Sequence, residues 1–257
     1  MDAYEKFLVD LKRKFDLDLT GYKRPQMERR INTLMRTLNI VGYDNFVQEL
    51  ASDKELLDRF IAHLTINVSE FFRNSSQWDI LTKKIIPQLL TKTQNLKIWS
   101  AGCSTGEEPY TMAMVLAENF PQGQHSILAT DFDARVLKTA QNGEYPEKST
   151  IGIPARLLEK YFTKHDDKLR ANDVLRKYIT FRQHNLLRDP FPDNYDLIIC
   201  RNVVIYFTEE SKAQLYRRFY NTLRPGGILF TGSTEQIIQA REIGYQSPEL
   251  FFYMRPL

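Results

Sequence analysis

From Ala3 to about Thr65 apolar side chains recur every three or four positions: Phe7, Leu8, Leu11 and Phe15, then Ile31, Leu34 and Leu38, then Leu56, Leu57, Phe60, Ile61 and Leu64. That period lines one face of a helix, so residues 1–65 predict a small all-helical domain. Pro25 suits a first helical turn, and Ser52 with Glu55 in "SDKE" has capping-box spacing. No strand pattern occurs until the mid-nineties.

A connecting segment, 66–90, contains a helix from about Gln77 to Leu90 that Pro87 interrupts. Beyond it the pattern changes to short apolar runs, "LKIWSA", "HSILATD", "YITFRQHNL", "YDLIICRN" and "GGILFTG", separated by amphipathic stretches such as "EEPYTMAMVLAENF" and "EESKAQLYRRFYNTL". Buried strands alternating with helices predict a doubly wound, mainly parallel α/β sheet over 91–257. The stretch of about 35 residues from Glu144 to Tyr178 breaks the alternation and reads as an inserted subdomain, with a helix at "IPARLLEKYF" and a hairpin after it.

Composition narrows the class. With 42% hydrophobic and 26% charged residues the chain can build a core and is neither disordered nor collagen-like. The N-terminus lacks the order of a signal peptide, and no run approaches the ~18 apolar residues of a membrane span. Two cysteines, Cys103 and Cys200, stand in no metal-ligand spacing and read as buried, reduced thiols, so a cytoplasmic, metal-free protein is expected. The net charge of +3 is uneven, because residues 11–40 carry eight basic side chains against three acidic ones. Such a cluster is either a solvated helix face or a docking surface for an acidic partner.

Candidate chemistry begins at "AGCSTGEEPY", where Gly102 and Gly106 border the carboxyl end of the first strand. Ligands of open α/β sheets bind at that edge. A pyrophosphate would be repelled by Glu107 and Glu108 in the first turn of the following helix, and the glycine spacing is not G-x-G-x-x-G, which counts against NAD and FAD. Asp131 ends the second strand, 24 residues beyond Glu107, where a carboxylate can accept from ribose hydroxyls. A nucleoside with a cationic tail fits this pattern, and S-adenosylmethionine is such a molecule. The competing reading is that both acids merely complement the helix dipole. The glycine pair in "NTLRPGGILF" reads as a tight helix-to-strand turn, a feature of modest specificity.

Four stretches carry a more specific likeness: "NVSEFFRN" (Asn67–Asn74), "WSAGCSTGEEPYT" (Trp99–Thr111), "ATDFD" (Ala129–Asp133) and "CRNVVIYF" (Cys200–Phe207). Together they resemble the CheR-type chemoreceptor glutamate methyltransferases, over essentially the whole chain. The resemblance implies a Rossmann-like methyltransferase domain preceded by a helical domain and carrying a small β subdomain. It implies S-adenosylmethionine contacts from Asn67, Ser69, Arg73, Glu107, Asp131, Asn185, Leu186, Arg201 and Asn202, with Arg73 and Tyr206 near the transferred methyl. It also implies cytoplasmic helical domains of chemoreceptors as partners, for which the basic N-terminal domain would be the docking face. Family members tethered to a receptor pentapeptide use a glycine-rich loop in the β subdomain; "YFTKHDDKLRANDVLRKYITF" has no glycine, so untethered recognition is expected.

The reaction implied is methyl transfer from S-adenosylmethionine, leaving S-adenosylhomocysteine, to a glutamate carboxylate. With a usual pKa of about 4.3 that carboxylate is already ionised, so alignment and shielding matter more than a general base. Two rivals stay open at this stage: a nucleic-acid methyltransferase, suggested by the basic stretch, and a cofactor-binding sensor or scaffold without catalysis. Against the first, residues 1–60 balance 11 basic with 11 acidic side chains and no N-P-P-Y sequence follows the fourth strand.

Overall fold

Ile98–Ala101 and Tyr195–Cys200 are buried at every position because both faces of the sheet they build are covered. The computed structural model describes residues 1–65 and 68–257. The described residues up to 65, together with Tyr206–Ala213, form one unit; the remainder forms a second.

The first unit holds α1 (Ala3–Phe15), α2 (Arg24–Thr37), α3 (Tyr43–Ser52) and α4 (Lys54–Leu64). Its core is aromatic: Phe7 stacks on Tyr43 at 4.8 Å between centroids, and Phe46 meets Phe60 edge-on at 5.2 Å. The capping box predicted at Ser52 is absent there. Ser52 is the last residue of α3 and its hydroxyl turns back to the Glu49 carbonyl, while Asp53 caps α4 through the Leu56 N–H. A complete box sits instead at Asp2 and Glu5, which start α1. Tyr206–Thr208 pairs with the turn before α2: the Lys23 N–H donates to the Tyr206 carbonyl and the Thr208 N–H to the Gly21 carbonyl, both at 2.9 Å.

In the second unit α5 (Ser75–Ile80), a π-helical turn at Leu81–Ile85 and α6 (Ile86–Leu90) run on from one another. Pro87 offers no N–H to the preceding turn, and the ladder widens just ahead of it. The chain continues as β1 (Lys97–Ala101), α7 (Glu107–Asn119), β2 (Ser126–Asp131), α8 (Ala134–Asn142), β3 (Glu144–Pro146), α9 (Ala155–Tyr161), β4 (Phe162–His165), β5 (Lys168–Ala171), α10 (Asp173–Arg176), β6 (Ile179–Gln183) and β7 (Tyr195–Cys200). It ends with α11 (Glu209–Thr222), β8 (Leu223–Thr231), α12 (Ala240–Ile243), β9 (Gln246–Glu249) and β10 (Phe252–Met254).

Seven strands form one sheet in the order β6-β2-β1-β7-β8-β10-β9, parallel except where β10 pairs antiparallel with its two neighbours. This is the mainly parallel, Rossmann-like sheet expected, with two more strands than the apolar runs disclosed. β9 is polar and lies at an edge, and β10 has only three residues. Ile98, Leu197, Ile199, Ile228 and Phe230 bury one face with Met112 and Leu116 of α7, while Trp99 packs against Phe191, Tyr195 and Phe219. The glycine pair predicted as a turn before the fifth strand lies inside β8, at a register irregularity, where a Cβ at Gly227 would come within 2.9 Å of the Tyr195 carbonyl oxygen.

The insertion is a separate antiparallel sheet, β3-β5-β4. Glu118 of α7 fastens it, bonding to Lys160 at 2.6 Å, to the Tyr161 hydroxyl at 2.7 Å and to Arg156 at 2.6 Å. Lys160 and Tyr161 foremost hold the Glu118 carboxyl down at about 2.

Candidate functional site

The parallel registers Ala101↔Thr130, Asp131↔Gln183 and Ser100↔Ile199 bring the carboxyl ends of β1, β2, β6 and β7 to one edge, and strand order reverses between β1 and β7. Four loops therefore leave the sheet side by side at its switch point, and they carry most of the predicted site residues.

The glycine turn is built by close packing. Gly102 has φ +88°, and a Cβ there would lie 2.5 Å from Val203 Cγ2 in the loop after β7. At Gly106, φ +97°, it would lie 2.9 Å from both Ala140 Cβ and the Tyr145 hydroxyl. Only glycine tolerates both the left-handed backbone and these neighbours. The N–H groups of Gly102 and Cys103 both donate to the Thr130 carbonyl, which fixes the turn to the end of β2.

Asp131 receives the Ser104 N–H on Oδ2 at 2.8 Å and the Asp133 N–H on Oδ1 at 3.0 Å. Burial outweighs these bonds and pushes its carboxyl above the usual range. A carboxylate has about four lone-pair directions, more than these amides use, so acceptor capacity remains for ligand hydroxyls.

The two glutamates of the opening motif separate, because successive helical positions point about 100° apart. Glu107 is 5% exposed and takes the Thr105 hydroxyl on both oxygens, at 2.9 and 2.6 Å. Glu108 turns into the protein, accepting from Ser100 Oγ at 2.7 Å and standing 3.9 Å from Arg201 Nη1. Burial raises the Glu108 carboxyl, with Arg201 opposing. The expectation that both acids greet a cation is thus corrected: Glu108 is engaged by Ser100 and Arg201, and Glu107 alone is left for a ligand.

Arg201 is 7% exposed, with its guanidinium 4.8 Å from the Phe230 ring centre. Its Nη2 donates to the Arg73 carbonyl at 2.8 Å, Asn74 Oδ1 at 3.0 Å and Gln77 Oε1 at 3.1 Å. The side chain, carried over as a cofactor contact, binds the segment Val68–Asn74 to the end of β7. Phe72 and Asn74 take left-handed backbone, and the Phe72 N–H donates to Thr111 on α7 at 3.2 Å. Arg73 is thereby brought to the strand ends, half-buried, its guanidinium donating to the Val68 carbonyl at 3.3 Å. Ser69 is half-buried in the same segment, and Asn67 lies outside the described residues.

After β6, Asn185 shapes a turn, its Oδ1 accepting from Leu187 at 2.9 Å and its carbonyl from Asp189 at 2.9 Å. Leu186 is buried beside it, its carbonyl held by Arg218 at 2.6 Å. Tyr206 belongs to the helical unit. Arg30 there is half-buried, and burial lowers its guanidinium while the Tyr206 phenol acts in the opposite sense.

A bound nucleoside cofactor has unmet polar atoms to satisfy. Ser104 Oγ and Asn202 Oδ1 are buried without a hydrogen-bond partner among the described residues, one in the glycine turn and one just past β7. Together with the spare lone pairs of Asp131, they offer acceptors and a hydroxyl at the edge where S-adenosylmethionine is expected.

Sequence reasoning missed Ser104 and Glu235. Glu235 is 4% exposed and accepts N–H bonds from Asn202, Val204 and Gly232. Its one visible signal was an acid three residues beyond the glycine that closes an apolar strand. Cys103 and Cys200 are free and buried, with burial pushing both thiols well up. No helix among the described residues is long and apolar enough to cross a membrane.

Two family models match, "CheR methyltransferase, all-alpha domain" over residues 2–65 and "CheR methyltransferase, SAM binding domain" over residues 67–248. The chain is 41% identical over 253 residues to a chemotaxis protein methyltransferase of Listeria innocua, covering 98% of this chain and 97% of that one. A chemotaxis protein methyltransferase of Borreliella burgdorferi is 34% identical, covering 97% and 93%, and one of Escherichia coli 31%, covering 84% and 78%. With both models matched in order along nearly all of its length, the chain belongs to the CheR methyltransferase family, and its cofactor is S-adenosylmethionine.

Proposed function

We propose that the protein is a protein-glutamate O-methyltransferase that esterifies side-chain carboxylates on the cytoplasmic helices of chemoreceptors. The observation that carries this reading is the match of both domains, at nearly full length, to chemotaxis protein methyltransferases. Bound at the strand ends, S-adenosylmethionine supplies an electrophilic methyl on a positive sulfur and leaves as S-adenosylhomocysteine.

In this reading Asp131 takes the ribose hydroxyls, and Glu107 faces the cationic end. Asn67, Ser69, Asn185, Leu186 and Asn202 line the remainder, and Arg201 acts through the segment it holds. Arg73 orients the substrate carboxylate: among the described residues its guanidinium donates to one carbonyl alone, so several of its five N–H groups can meet an anion. Tyr206 is assigned its role near the transferred methyl by the family resemblance alone. No side chain has to remove a proton, because the glutamate is ionised near neutral pH.

The basic face of α2 is the receptor-docking surface in this proposal. Lys12, Arg13, Lys23 and Arg24 are ion-paired within the helical unit, whereas Arg29 and Arg36 are exposed and make no ion pair among the described residues. Recognition without a pentapeptide tether is supported by the β4–β5 hairpin, which closes through Asp166 and Asp167 alone and has no room for a glycine-rich loop.

The test is transfer of radiolabelled methyl to chemoreceptor-bearing membranes, followed by mild alkali. Label released as volatile methanol establishes a carboxyl methyl ester. Alkali-stable label, or label on added RNA in place of receptor, overturns the reading.

A further inference from the structure

A carboxylate removed from water needs compensation, and buried ones usually find a cation. Glu235 is 4% exposed and, among the described residues, makes no direct ion pair, although the Arg201 guanidinium stands near enough to feel its charge. Its partners are main-chain amides in two loops. Oε2 accepts from Asn202 at 2.6 Å and from Gly232 at 2.9 Å, and Oε1 accepts from Val204 at 3.0 Å. β7 and β8 pair in parallel up to Cys200↔Thr231, so the carboxylate joins the two chains just where their own ladder ends.

The join leaves no slack. A Cβ at Gly232 would stand 2.5 Å from Glu235 Oε2 and 2.9 Å from the Asn202 nitrogen. Asn202 itself is held with φ +60°, and its Oδ1 is one of the buried acceptors without a partner. Asparagine accepts a left-handed backbone more readily than other residues with a side chain, and here bonds from outside hold it there. The bond from the Asn202 N–H, at 2.6 Å, is shorter than those that Glu235 accepts from Gly232 and Val204.

We propose that Glu235 is a positioning residue of the cofactor site: by holding the Asn202 main chain, its carboxylate sets Asn202 Oδ1 to accept a hydrogen bond from bound cofactor. The inference rests on the cofactor occupying the strand ends. Glutamine cannot replace the carboxylate, because its amide group would turn N–H donors toward N–H donors on one side or the other.

The experiment is calorimetric titration of the full-length protein with S-adenosylhomocysteine, beginning with the wild type. Glu235→Gln is expected to weaken binding by about tenfold or more, the loss of one well-placed hydrogen bond. Gly232→Ala, which keeps the charge but forces the same join apart, should give a similar loss and decides the matter if Glu235→Gln does not fold. Asp196→Asn is the control for general destabilisation, since Asp196 is also buried and caps a main-chain N–H, that of Lys97 at 2.7 Å, at the amino end of β7. It should lower the melting temperature and leave the Kd within about twofold of wild type. Wild-type affinity in both Glu235→Gln and Gly232→Ala overturns the proposal while leaving the cofactor site intact. Failure of the wild type to bind overturns the site and the proposal together.

Discussion

Arg201 Nη2 donates to the main-chain carbonyl of Arg73 at 2.8 Å, across 128 residues of sequence. The same guanidinium faces Glu108, so one buried cation both holds the segment that carries Arg73 and compensates a buried acid. Arg201→Leu removes both functions and leaves Glu108 uncompensated. Urea titration should show a loss of about 3–5 kcal/mol. Arg201→Lys keeps the charge, but its single nitrogen cannot stand both beside Glu108, as Nη1 does, and among the Arg73, Asn74 and Gln77 acceptors, as Nη2 does, so it should retain part of the stability with weakened S-adenosylhomocysteine binding.

Gly102 is pressed by Val203 from the neighbouring loop. Gly102→Ala imposes a left-handed backbone on a residue with a Cβ, which costs roughly 1–2 kcal/mol, and it drives that carbon against Val203. Cofactor affinity should fall by about tenfold or more. Gly102→Ala with Val203→Ala should recover part of the loss, because the clash goes and the strain stays. Additive effects in the double mutant would show that the two loops are not coupled.

His125 accepts the Leu96 N–H on Nδ1 at 3.0 Å and meets the Phe120 carbonyl through Nε2 at 3.0 Å, so the neutral ring carries its hydrogen on Nε2. Burial lowers its pKa from the ordinary 6.5, and burial likewise lowers that of His184. Between the folded and unfolded values the unfolded chain binds more protons. Stability is therefore fully present above about pH 6.5 and falls as pH drops from there toward the folded values. Urea midpoints at pH 8 and pH 5.5 should differ in the wild type. The difference should shrink in His125→Asn, whose side-chain oxygen can accept the Leu96 N–H without titrating.

For receptor docking, Arg29→Glu with Arg36→Glu is the informative pair, since both residues are exposed. Arg30 donates to the His63 carbonyl, so changing it would disturb the helical unit itself. The double variant should melt like the wild type and methylate receptor-bearing membranes several-fold more slowly at low salt, with the gap closing as ionic strength rises. An unchanged rate at low salt would remove α2 from the docking surface.

In the proposed catalytic roles, Tyr206→Phe should lower turnover while leaving S-adenosylhomocysteine affinity near normal. Arg73→Ala should also raise the KM for receptor, because it removes the orienting cation. A wild-type rate for Tyr206→Phe would remove its hydroxyl from the reaction.

Of the five runs that became strands, β1, β7 and β8 were legible because nearly every position is buried, whereas β2, buried at Ile127, Ala129 and Thr130, and the edge strand β6, which has no buried position, were legible from β-branched and aromatic residues such as Ile127, Ile179, Thr180 and Phe181. β9 and β10 were not: an edge strand reading "QSPE" and a strand of three residues carry no such pattern, and antiparallel pairing makes them strands. The capping residue of α4 was misplaced by one position because Ser52 and Asp53 are both good caps, and where α3 ends decides between them.

By itself, the sequence determined the helical domain, the alternating α/β order, the inserted hairpin and the edge of the sheet at which the cofactor is proposed to bind. These follow from local periodicity and from residue types that chemistry restricts. Only the tertiary structure decided that Glu108 is engaged by Arg201, that Val203 makes Gly102 obligatory, and that Glu235 ties Asn202 to Gly232. Each of these depends on which loops the strand order places side by side, and side-chain partners separated by tens or hundreds of residues leave no periodic trace along the chain.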